Sequence, residues 1–109
     1  MNSRKNTGLT GVLREDLRRV AGKVVGSIMA RHLLEHTDGL VKQEVHADKN
    51  PEEAYLLAFE SSVRTLFLSS SETVIREILS EFSEELGKPV NSMEDLLQHY
   101  SEAHKGQND

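Results

Sequence analysis

The sequence predicts an all-α fold of four helices, one long N-terminal helix followed by a compact three-helix unit. Two observations predict it. Apolar residues recur at spacings of three and four through most of the 109 residues, the period of one helical face. The breaks between these periodic runs carry helix start and stop chemistry: Asp38-Gly39, Asn50-Pro51, Ser69-Ser70-Ser71, Gly87 with Pro89, and Asn91-Ser92.

Residues 1–9 are polar and read as a frayed tail. The first helix is expected over 10–36, with Thr10 at its N-cap. Leu13, Leu17, Val20, Val24 and Ile28 form one stripe, widened by Ala21 and Val25. Beyond Met29 the phase slips, so this helix is either contacted from two sides or bent near Gly26-Ser27. Gly39 suits a left-handed cap and is expected to end it. Residues 37–49 read as a linker in which Leu40, Val41 and Val45 offer at most a short extended piece.

The three-helix unit is expected over 50–104. Asn50-Pro51-Glu52-Glu53 supplies a cap, a proline in the first turn and acids at the positive end of the dipole. Leu56, Phe59, Val63, Leu66 and Phe67 then share a face, with Ala54, Ala58, Ser61 and Thr65 opposite. Ser69 to Glu72 reads as a capping box, followed by Val74, Ile75, Ile78, Leu79, Phe82 and Leu86, with Gly87 as the stop. Asn91 to Glu94 reads as another cap, leading to Met93, Leu96, Leu97 and Tyr100. Residues 105–109 read as a polar tail. A trio of this size is marginal alone, so the first helix is expected to complete the core, in its own chain or against a second one.

Charge is unevenly spread. Residues 1–36 carry seven basic groups against three acids, a net +4, whereas the remaining 73 carry six against 15, a net −9. All five aromatics, Tyr55, Phe59, Phe67, Phe82 and Tyr100, lie in the acidic part. The chain has no cysteine, which excludes a disulfide framework, a thiolate metal site and a cysteine nucleophile. It holds no run of about 18 apolar residues, so no membrane span is expected. Val20 to Ala30, the best apolar stretch of the N-terminal region, is interrupted by Lys23 and does not read as a secretory signal, and a cytoplasmic location is expected.

Several motifs carry candidate chemistry. His32-Leu33-Leu34-Glu35-His36 matches the H-x-x-E-H pattern of inverted zinc peptidases, but that chemistry needs a third ligand and a cleft. Two histidines near a helix C-terminus explain it more simply, and no metal or cofactor is assigned. His99, Glu102 and His104 form a loose polar group near the chain end. Gly22, Gly26 and Ala30 form a small-residue line that suits a close helix crossing. Arg14, Arg18, Arg19 and Lys23 are candidate phosphate contacts, with Glu15 and Asp16 among them weakening the field. A helix-turn-helix at Ser69–Ser71 is rejected, because its second helix carries five glutamates against Arg76.

The resulting expectation is a non-catalytic helical interaction or oligomerisation module of regulatory type. It would self-associate through Leu13, Leu17, Val20, Val24 and Ile28, flanked by the basic residues, and bind a protein partner. Two other readings are a nucleic-acid-associated regulator using the basic helix, and a ligand- or metal-sensing helical domain.

Overall fold

The computed structural model describes residues 8–43 and 48–108, with side chains over 11–43 and 48–101. Among these the elements are α1 (Gly8–Val25), α2 (Ser27–Lys42), α3 (Pro51–Phe67), a 3₁₀ turn (Leu68–Ser70), α4 (Ser71–Leu86) and α5 (Met93–Asn108). The all-α class holds, but the long N-terminal helix does not form. The chain breaks at Gly26, whose φ of 93° and ψ of 153° lie in a region open essentially only to glycine.

The break is a reversal rather than a bend. Arg14 and Asp38 lie twelve residues either side of Gly26, and in one continuous helix they would stand about 36 Å apart. Their side chains meet at 2.7 Å, so α2 folds back along α1. The stretch expected as one long helix is therefore a helical hairpin, and Gly22, Gly26 and Ala30 do not share one helix face. The longest helical run is instead central, from Pro51 to Leu86, where the 3₁₀ turn joins α3 to α4.

Gly39 also departs from expectation. It sits inside α2, which continues to Lys42 and ends at Gln43, whose N–H donates to the Gly39 carbonyl. Tertiary anchoring explains why the local stop signal loses. Thr37 is fully buried and Asp38 is held by Arg14 and Tyr55, so the last turn of α2 is docked before and around Gly39. The expected linker thus begins later, and its residues 44–47 lie outside the described ones, as do residues 1–7 of the expected N-terminal tail and Asp109 of the C-terminal one. Lys105 to Asn108 belong to α5.

α1 begins at Gly8, ahead of the expected Thr10 cap, whereas the starts of α3 and α5 and the end of α4 follow their local chemistry. Asn50 Oδ1 accepts from the Glu53 N–H at 2.8 Å with Pro51 in the first turn, and Gly87 closes α4 in the left-handed conformation. At α5, Ser92 Oγ accepts from the Asp95 N–H and the Asp95 carboxylate accepts from the Asn91 N–H. The capping box expected at Ser69–Glu72 does not form. Ser70 caps α4 without a side-chain bond, and Glu72 turns instead to Arg64 at 2.8 Å.

α3 is the central helix and packs on each of the other four. Leu13, Leu17 and Val20 of α1 join Leu33 and Leu34 of α2, Phe59 and Val63 of α3, Ile78 and Phe82 of α4, and Leu96 of α5 in one core. The first helix therefore completes the core within its own chain. The three C-terminal helices are not a separate unit, since α1 and α2 supply much of what they bury against.

Candidate functional site: an acidic-rimmed groove

α3 packs against both α4 and α5, whereas α4 and α5 make little direct contact with each other among the described residues. The gap between them is a groove of about 470 Å³. Its floor and walls are aliphatic: Leu56 and Leu57 from α3, Ile75 and Leu79 from α4, Met93 and Leu97 from α5. Leu56, Ile75 and Leu79 are buried at the base, while Leu57, Met93 and Leu97 stay half-exposed on the walls.

The rim is acidic. Glu53 and Glu60 of α3, Glu72 of α4 and Glu94 of α5 line it, with Arg64 as the one lining cation. Arg64 donates to Glu60 at 3.0 Å and to Glu72 at 2.8 Å, which ties α3 to α4 and closes one end of the groove. These two hydrogen bonds hold its guanidinium above its ordinary pKa. At the other end Glu53 and Glu94 have no salt-bridge partner among the described residues. They sit in the first turns of α3 and α5, where each helix dipole contributes roughly half a positive charge and offsets only part of theirs. The groove stays negative from end to end.

The sequence-predicted interface residues go elsewhere. Leu13, Leu17 and Val20 are fully buried in the chain's own core, and Val24 packs partly buried against it. Ile28 lies beyond the break and is 66% exposed, so the five do not form one surface.

The predicted phosphate contacts are each paired with a carboxylate. Arg14 binds Asp38, and Arg18 binds Glu15. Arg19 spans Asp16 and Glu85, and Lys23 reaches Glu85 at 3.0 Å and Glu81 at 3.9 Å. The positive first helix thus meets the acidic α4 within one chain. Hydrogen bonds from Arg19 and Lys23 outweigh desolvation and lower the Glu85 pKa. At Asp38 burial pushes the pKa up, but hydrogen bonds from Arg14 and from Tyr55 (2.6 Å) more than offset it, and the carboxyl lies below its ordinary value. Tyr55 and Tyr100 are both raised, first by burial and then by hydrogen bonding to Asp38 and Asp16.

The histidines separate in the same way. His32 is exposed, while His36 is half-buried with Nδ1 2.8 Å from Ser62 Oγ. Ser62 also meets Thr37 Oγ1 at 2.9 Å, and the two hydroxyls reach the Ala58 and Leu33 carbonyls. This cluster joins α2 to α3 in the core, and sequence reasoning missed it. Its only local signal was two small polar residues, Thr37 and Ser62, one of them placed in the expected linker. Among the described residues no group of three or more His, Cys, Asp or Glu is placed to hold a metal ion. His99 packs edge-on against Tyr100, and the side chains of Glu102 and His104 lie outside the described residues. Among the described residues no helix is long and apolar enough to cross a membrane.

Val90 is a further buried residue that the sequence reading passed over. Its N–H donates to Ser83 Oγ at 2.8 Å, which pins the α4–α5 connection and so sets the spacing of the groove walls. Comparison of the chain with protein-family models, with curated proteins and with solved structures finds no match.

Proposed function

We propose that the chain is a non-catalytic helical module that binds a protein partner through the groove between α4 and α5. The observation that carries this reading is the placing of Leu57, Met93 and Leu97. They are half-buried aliphatic side chains on two helices, α3 and α5, converging over a floor that is already packed. Partly exposed aliphatic side chains gathered in a concave place and ringed by a few polar groups have the composition of a binding site.

The chemistry around the groove also supports binding rather than catalysis. The nearest thing to a nucleophile–base pair, Ser62 with His36, lies on the other side of α3's packing with Ser62 fully buried, out of a substrate's reach. The nucleic-acid reading is weaker than the protein reading because Arg14, Arg18, Arg19 and Lys23 spend their charge on internal carboxylates. Self-association through the first helix loses its motivation for a related reason. Leu13, Leu17 and Val20 of the stripe are buried in the chain's own core, and the α1 cations pair with carboxylates of the same chain.

Selection of random 16-residue peptides against the full chain tests the reading, with bound peptides mapped by amide NMR. Shifts are expected at Leu57, Met93 and Leu97 and their neighbours. Selected peptides that map to another face, or no selectable binder, would contradict it.

A further inference from the structure

Resting on the reading of the groove as a docking site, we infer that its occupant is a cationic amphipathic helix of about three turns. Size is the first argument. The α3 residues lining the groove run from Glu53 to Arg64, a length of about 17 Å at 1.5 Å per residue. An occupant lying along that length is a helix of about eleven or twelve residues, with apolar anchors at i, i+4 and i+7 or i+8.

The alternatives among recurring recognition modes lack their chemistry here. An added strand needs a sheet edge, and the described elements are all helical. Polyproline recognition needs an aromatic-lined trough, and the lining is aliphatic. Phosphate-bearing motifs, nucleic acid and anionic lipid need a basic site, and this rim is acidic. A buried polar small molecule needs convergent unpaired polar groups, whereas every buried side-chain polar atom among the described residues has a partner. A helix laid between two helices needs only an aliphatic trough, and Met93 on the wall gives that trough some freedom to adapt.

Charge sets the partner's flanks. Carboxylates stand on all three elements that bound the groove, four against the single guanidinium of Arg64, so an anionic helix would be repelled on both sides. Lys or Arg on either side of the anchors would be attracted, most of all at the Glu53 and Glu94 end. A second copy of the chain fits poorly. Its net charge is −5, and its own basic helix α1 is committed to the core.

The test is a display library of 14-residue helices with a fixed leucine stripe and flanking positions randomised among Lys, Gln and Glu, selected against the full chain. Lys is expected to be enriched over Glu at the flanks by at least tenfold. The enrichment should fall sharply against the Glu53→Lys, Glu94→Lys variant, whose substitutions fall at a partly exposed and an exposed position and whose folding is checked by circular dichroism. Helices that bind in the groove with Gln or Glu at the flanks would overturn the cationic partner and leave the docking site standing. No groove-bound helix at all, while unpatterned peptides still bind there, would overturn the helical occupant. Failure of both selections would remove the docking site itself.

Discussion

Leu17 on α1 and Leu57 on α3 sit on amphipathic helices of similar length, yet one is fully enclosed and the other lies half-exposed on a groove wall. The difference reflects how the two regions use their surfaces. α1 buries Leu13, Leu17 and Val20 in the shared core and pairs Arg14, Arg19 and Lys23 with Asp38, Glu81 and Glu85. The three C-terminal helices supply the aromatic part of that core and still keep an aliphatic trough with free carboxylates. The proposed docking site therefore falls in the acidic region, while the α1 cations are paired within the chain.

The largest expected effect separates these two leucines. Leu17→Ala should cost about 2–5 kcal/mol, the range for truncating a fully packed leucine, whereas Leu57→Ala should cost about 1 kcal/mol. Urea unfolding of both variants measures this. A single transition for Leu17→Ala, followed by signals from both regions, is expected if α1 belongs to one core. Near-equal costs would erase the distinction.

The break at Gly26 gives the next effect. A Cβ there meets no atom within 4 Å, so Gly26→Ala is penalised by backbone strain alone, by about 1–3 kcal/mol. Thermal unfolding measures it. A stability unchanged from the parent would mean that the hairpin turn does not require a positive φ.

This break marks the limit of what the sequence makes legible. The all-α class, the starts at Asn50 and Ser92, the stop at Gly87 and most core positions follow from local spacing and capping. Gly26 and Gly39 are both glycines within an apolar periodic run, and local chemistry does not say which one ends a helix. Long-range contacts decide it: Arg14 with Asp38 rewards reversal at Gly26, and buried Thr37 holds the chain helical through Gly39. The groove was hidden for the same reason. Leu56, Met93 and Leu97 were legible as inward-facing residues, but a gap between α4 and α5 depends on how these two consecutive helices are spaced on α3.

Acid sensitivity is expected to be smaller. Asp38 and Glu85 both have lowered pKa values, so the stability they contribute is present above the ordinary carboxyl range and is lost as pH falls through their folded values. Both ion pairs are partly exposed, which keeps each contribution under about 1 kcal/mol. Denaturant midpoints measured from pH 6 down to pH 2 should fall less steeply for Asp38→Asn than for the parent. An unchanged slope would place the Arg14–Asp38 contact outside the energetics of the hairpin. Smallest of all, Glu85→Gln should shift stability by a few tenths of a kcal/mol, and 0.5 M salt should remove that difference, because Arg19 and Lys23 meet it at the surface.

Leu13, Leu17 and Val20 are buried inside the chain, while the groove between α4 and α5 is open. Methyl NMR with a soluble paramagnetic probe reads both at once. Leu57, Met93 and Leu97 are predicted to broaden strongly and to be protected when a groove-binding peptide is added, with Leu13, Leu17 and Val20 unaffected throughout. Broadening of Leu13, Leu17 and Val20, or groove methyls already shielded in the free chain, would contradict this division between buried stripe and open groove.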